Sequence, residues 1–165
     1  MSTYQALGQL PWTNVELIDA LDEFAQLYAQ RPVIDNSGGM KSPHLFCAWF
    51  VMKKLQPKVI IESGVWWGQG TWFFEKACPQ AEIHCIDPNL AQIRYRSPNA
   101  TYYCRDFSDI DWRGIPADET VLFFDDHQNA YTRLQIARWL GFRHLIFEDN
   151  YPASRGDCYS LKKAF

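Results

Sequence analysis

Two different spacings of apolar residues follow one another along this chain, and they divide it into elements. From Thr13 the spacing is helical. Ile18, Leu21, Ala25 and Tyr28 recur at three- and four-residue intervals, with Glu16, Asp19, Asp22 and Glu23 mostly off that stripe. Thr13-Asn14-Val15-Glu16 has the spacing of a capping box, so Thr13 starts an amphipathic helix that ends before Pro32. Residues 34–40, IDNSGGM, form a polar loop containing glycine, placed as a lid would be, just ahead of the core. Ser42-Pro43 opens a second helix, with proline at the first helical position. It runs through Leu45, Phe46, Trp49, Phe50 and Met52 and carries Lys53 and Lys54 at the end where cations suit the helix dipole.

Beyond Pro57 short apolar runs take over. They predict strands over 58–62, 82–86, 101–104, 120–124 and 144–147. Helical stretches over 71–78 and 130–140, and a short helix or turn over 89–96, lie between them. Residues 155–165 read as a loop entering a further helix. Strict alternation of strand and helix predicts a parallel sheet covered on both faces. The expected fold is therefore a doubly wound, Rossmann-like α/β sheet, and the strand order expected for it is 3-2-1-4-5, the order of two joined mononucleotide-binding halves. Residues 1–40 form a helical cap with the lid loop, and residues 41–165 form the core.

Composition narrows the function classes. Of 165 residues, 47% are apolar, enough for one well-filled core, and the formal charge of −3 disfavours a nucleic-acid binder that relies on a basic face. No apolar run approaches the roughly 20 residues of a membrane span. The first residues lack the basic start and long apolar middle of a signal peptide. The five cysteines are scattered, without a C-x-x-C pair, and Cys47, Cys85 and Cys104 lie in apolar segments. They read as buried free thiols in a reducing cytoplasm. His44, His84 and His144 read as structural.

The chemistry gathers at the strand ends. The first strand runs into VIIESGVWWGQGT, an apolar run closed by Glu62, then Gly64, Gly68 and Gly70, then Thr71 at a helix start. Glycines there allow positive φ and close approach of a ligand, and the helix N-terminus presents free N–H groups. Every strand ends in polar or acidic residues: Glu62, Asp87, Asp106, Asp125/Asp126 and Glu148/Asp149/Asn150. In an open parallel sheet ligands bind beyond these ends. Asp87 lies where an acid can hold ribose hydroxyls, of NAD or of S-adenosylmethionine alike.

The run E-x-G-x-x-x-G-x-G-T resembles motif I of the class I S-adenosylmethionine-dependent methyltransferases. That resemblance implies that Glu62 lies near the methionine amino end, Gly64 and Gly68 pass beneath the methionine and ribose, and Asp87 takes the ribose. Asp106 and Phe107 then fall beside the adenine. Trp66 in the turn and Thr71 at the helix start complete the candidate cofactor set. Asp126-His127 and Asp149-Asn150 resemble the metal site of the catechol-type O-methyltransferases, to which macrocin-type enzymes and the cephalosporin-hydroxylase group are related. The resemblance implies Mg²⁺ bound by Asp126, Asp149 and Asn150, with Glu148 or Asp125 as supplements, and Asp126 or His127 as base. It also departs from the family: Asn129 stands at the position of the catechol enzymes' catalytic lysine, and two of seven strands are missing after Asn150. The implied function is metal-assisted O-methyl transfer to a small hydroxylated molecule by a cytoplasmic enzyme, with exposed sheet edges suited to a homo-oligomer. A hydroxylase-like reaction on the same fold is one rival. A non-catalytic scaffold derived from a methyltransferase is another. An NAD-dependent oxidoreductase is a third, disfavoured by the glycine spacing.

Overall fold

A computed structural model describes residues 10–149, 154–156 and 159–161. Five parallel strands make one sheet in the order β3-β2-β1-β4-β5. They are β1 (Val59–Ser63), β2 (Glu82–Ile86), β3 (Ala100–Tyr103), β4 (Thr120–Phe124) and β5 (His144–Phe147). Helices α1 (Asn14–Ala29), α2 (Ser42–Leu55) and α3 (Gln69–Ala77) cover one face, and α4 (Ala130–Trp139) covers the other. This is the doubly wound architecture that the alternation predicts. The α3 helix starts two residues before the predicted Thr71, because Gly68 takes φ +88° and caps it.

The period of two along the strands sorts the core. Ile60, Val121 and Phe123 point to the α1–α3 side, and Val59, Ile61, Leu122 and Phe124 to the α4 side. The α4 side is filled by Phe107, Trp112 and Phe142, whose rings lie 5.6–6.4 Å apart around Phe107. With both faces covered, the functional surface is left at the carboxyl ends of the strands.

The capping box at Thr13 forms as expected, with Glu16 Oε2 accepting from Thr13 N at 2.7 Å. The rotation of α1 does not. Ile18 is 62% and Leu21 45% exposed, whereas Phe24 is 6% exposed. Phe24 docks against the rings of Phe46, Trp49 and Phe73 at 5.2–5.5 Å. Glu16 and Glu23 meet Lys54 and Lys53 of α2. Aromatic burial on one edge of the helix, plus two ion pairs beside it, outweighs the aliphatic stripe. The cysteines also differ from expectation: Cys78 and Cys85 are buried, but Cys47 and Cys104 are exposed free thiols, and Cys158 lies outside the described residues. No helix among the described residues is long and apolar enough to cross a membrane. The expected helix over 155–165 also lies largely outside them.

Candidate functional site

The glycine turn between β1 and α3 is built first from backbone. Gly64 has φ +93°, and a Cβ there would stand 2.0 Å from the Asp125 carbonyl oxygen. At Gly68 a Cβ would stand 2.1 Å from the Tyr95 carbonyl oxygen. Both positions need glycine because another strand or loop passes against the turn. The Gly64 N–H donates to Ile86 O at 2.9 Å and Asp125 N–H to Ser63 O at 2.8 Å, so the ends of β1, β2 and β4 are tied at one point.

Asp87 completes that tie. Its Oδ2 accepts from the N–H groups of Val65 and Trp66 at 3.1 and 2.9 Å, and its Oδ1 from Asn89 N at 2.8 Å and Gln92 Nε2 at 3.3 Å. The side chain expected to hold a ribose therefore also holds the turn. Glu62 and Thr71 lie beneath it, 1% and 0% exposed, and face each other rather than a cavity: Thr71 Oγ1 donates to Glu62 Oε2 at 2.5 Å. Burial, first among the causes, raises the Glu62 carboxyl to about 8, so it carries a proton at neutral pH. Gly70 is small for its sake, since a Cβ there would meet Glu62 Oε1 at 2.4 Å. Phe107 is likewise withdrawn, fully buried in the α4-side core. The side chains of Glu62, Thr71 and Phe107 thus support the site from below, because the sheet pleat and the core claim them.

Above this floor is a cavity of about 550 Å³ beyond the ends of β1, β2 and β4. Gly38 and Gly39 of the expected lid loop line one side. Trp66 reaches over to that loop: its indole N–H donates to Ser37 O at 3.0 Å, and a Cβ on Gly38 would meet its ring at 3.3 Å. Trp66 stacks on Trp67 with ring centroids 5.3 Å apart, and the Arg94 guanidinium lies 3.3 Å over the Trp67 ring. Trp66 adopts φ +52°, unusual for a bulky residue, and this turns it onto the rim. Asp87, Gln92, Arg105 and Asp106 line the far side.

A buried arginine that sequence reasoning overlooks sets the floor between β3 and β4. Arg133 is 5% exposed and lines the cavity. Its Nη1 and Nη2 donate to the two oxygens of Asp106 at 2.8 and 2.6 Å, and its Nε donates to Asp126 Oδ2 at 2.9 Å. The same Asp126 oxygen accepts from Ser63 Oγ at 2.7 Å. Arg133 holds the Asp106 carboxyl well below the usual carboxylate range. The signal was available: Ala130, Arg133 and Ala137 form the inward stripe of α4, and an arginine on an inward stripe needs acids.

The β4 and β5 ends bring together Asp125, His127 and Asp149, one ligand atom of each lying within 4.8 Å of the others. Burial, followed by the charges of Glu148, Asp149, Glu62 and Asp126, pushes the Asp125 carboxyl up to about 8. Asp126, expected as the first metal ligand, turns instead to Arg133 and Ser63, and its neighbour Asp125 takes the place beside Asp149. Asn150, the third expected ligand, lies outside the described residues. Glu148 is paired with His44 at the start of α2. Asn129 caps α4, its Oδ1 accepting from Thr132 N at 2.9 Å.

No described protein family and no curated protein sequence matches the chain. Solved structures do. A Klebsiella pneumoniae protein proposed to be an O-methyltransferase superposes with a TM-score of 0.52 at 16% identity, covering 81% of this chain and 63% of that one. CmcI-N160 with SAH gives 0.51 at 19% identity, covering 81% and 73%. The Streptomyces achromogenes O-methyltransferase TomG, involved in tomaymycin synthesis and in complex with SAM, gives 0.50 at 15%, covering 80% and 68%. The chain thus spans under two thirds of the length of the Klebsiella protein. Across these structures the shared feature is the fold, a Rossmann-like α/β architecture.

Proposed function

We propose that this protein is an S-adenosylmethionine-dependent methyltransferase that acts, with a divalent cation, on a hydroxyl of a small molecule. The observation that carries the reading is the cavity at the carboxyl ends of the strands, walled by the glycine turn and Asp87 on one side and by Asp125 and His127 on the other, with Asp149 buried beside those two. A nucleoside beside Asp87 and a substrate oxygen beside the second cluster would be held next to each other, which is the positioning a methyl transfer needs. In this reading Asp87 fixes the turn with Oδ2 and offers Oδ1 to the ribose in place of Gln92. Asp106, fixed by Arg133, faces the adenine side. Trp66, hydrogen-bonded to Ser37, closes the loop over the ligand and excludes water.

Bound S-adenosylmethionine supplies an activated methyl group, the electron pair of its broken carbon–sulfur bond remaining on sulfur. Asp125, His127 and Asp149 fit a cation by donor chemistry, and a bound cation would lower the pKa of a substrate hydroxyl. Asp126, with one oxygen committed to Arg133 and Ser63, is a poor proton acceptor. His127 would be the base where it does not ligate the cation; as a ligand it would instead hold the cation that acidifies the hydroxyl, whose proton would leave to solvent. Asn129, as a helix cap, leaves no lysine-like base at its position. The exposed free thiols suit the cytoplasmic location this reading carries.

The test is thermal denaturation with S-adenosylhomocysteine, S-adenosylmethionine and NAD, each with and without a divalent cation. A ligand bound by the folded state alone, at about 100 times its Kd, stabilises by about 2.7 kcal/mol, a rise in Tm of about 5 °C or more. That rise is expected with both sulfur ligands. No rise with either overturns the reading, and a rise with NAD alone replaces it with an oxidoreductase.

A further inference from the structure

We infer that the Asp125–His127–Asp149 cluster selects a first-row transition dication such as Mn²⁺ over Mg²⁺, with His127 as the selecting ligand; this rests on the cation site proposed above. The donor set is what carries it. Mg²⁺ prefers oxygen in a near-ideal octahedron and keeps several waters. An imidazole nitrogen beside two carboxylates suits manganese, iron or zinc. Asp126 does not compete for this place, because Ser63 Oγ and Arg133 Nε both donate to its Oδ2 and Gln128 N donates to its Oδ1 at 3.1 Å, and Glu148 is paired with His44.

His127 is in turn oriented towards the cluster. Its ring stacks on Tyr159, centroids 5.4 Å apart and planes at 26°, which fixes the imidazole plane. Its Nε2 then lies 3.5 Å from Asp149 Oδ1. That is too long for a hydrogen bond of ordinary strength, and it is a separation that a cation bonded at about 2.0–2.2 Å to each atom can bridge. Asp125 and His127 line the cavity and Asp149 is buried beside them, so the cation would be held between the cavity and Asp149.

Sites of mixed nitrogen and oxygen donors bind later first-row metals more tightly in general. The tight-binding ratio alone is therefore weak support, and the change on replacing His127 decides. Calorimetry on the whole chain would titrate Mn²⁺ and Mg²⁺ separately into wild type, His127→Asn and Asp126→Asn. The Mn²⁺-over-Mg²⁺ ratio should fall at least about 10-fold in His127→Asn, and Asp126→Asn should hold the wild-type ratio within about 3-fold. Pulsed electron paramagnetic resonance of Mn²⁺ on the wild-type protein needs no variant and should show coupling to an imidazole nitrogen-14. Bound Mn²⁺ without nitrogen coupling overturns the inference, as does a ratio that His127→Asn leaves unchanged. Failure of Mn²⁺ to bind at all overturns it together with the cation site. The thermal shift with S-adenosylhomocysteine alone reports separately on the methyltransferase reading.

Discussion

The acids that follow the strands look alike in sequence, each ending an apolar run, but the fold treats them in opposite ways. Asp87, Asp106 and Asp126 are saturated. Backbone N–H groups and Gln92 surround the first, and the Arg133 guanidinium binds the other two. Asp125, Glu148 and Asp149 are crowded. Burial, and then the charges of Glu148 and Asp149, raise the Asp125 carboxyl, and imidazoles lie against the other two, His44 against Glu148 and His127 against Asp149. A saturated acid is part of the fold and a ligand can borrow only what it has left. A crowded acid costs the fold something, and a cation would repay it. Position after a strand therefore does not mark a site residue; the state of its hydrogen bonds does.

The largest effect should come from stripping the saturated side of its cation. Arg133→Met leaves Asp106 and Asp126 without the guanidinium, and breaking a buried pair from one side costs about 4 kcal/mol. Urea denaturation at pH 7 should show that loss. A change below about 1 kcal/mol would mean that solvent, not Arg133, neutralises this side, and the contrast between the two groups would collapse.

Glu62 asks whether burial alone can produce the crowded behaviour. Its folded carboxyl titrates near 8, against about 4.3 in an unfolded chain. Between those values the folded state holds a proton that the unfolded state has released. Stability therefore falls as pH rises from about 4 to 8 and is level on either side. Glu62→Gln removes that slope, on the order of 3 kcal/mol across the window. Denaturation midpoints of both proteins at intervals from pH 5 to 8.5 should converge in acid and separate in base, with the variant more stable. Parallel profiles would show that Glu62 is ionised in the folded protein.

The architecture was legible because it rests on patterns that a sequence carries. Alternating strands and helices, the capping box at Thr13 and the glycine turn each have a local cause, and the alternation calls for a parallel, doubly wound sheet. The site was legible to the level of the rim. Which side chains face it was not, for three physical reasons. The pleat of β1 sends Glu62 into the core, so the acid nearest the glycines is furthest from solvent. Which of Asp125 and Asp126 lies beside Asp149 is settled by Arg133, a partner 7 residues beyond Asp126 and on another element. The rotation of α1 is settled by Phe24, whose ring partners Phe46, Trp49 and Phe73 come from α2 and α3. In each case a contact between elements chose between two locally equivalent options.

The smallest effect is the sharpest, because it should differ in sign across adjacent residues. With a chelator present at pH 8, Asp125→Asn removes a charge that Glu148, Asp149, Glu62 and Asp126 oppose. Its side chain makes no hydrogen bond among the described residues that asparagine would lose. The variant should gain about 1 kcal/mol, since part of the repulsion is screened by solvent. Asp126→Asn, one residue on, weakens the contacts with Arg133 and Ser63 and should lose about 1–2 kcal/mol. With Mn²⁺ at saturation the order for Asp125 should reverse, because wild type then gains binding free energy that the variant does not. A loss at Asp125 in the chelated protein would place it among the saturated acids, and the crowded side would then be held by a bond rather than waiting for a cation.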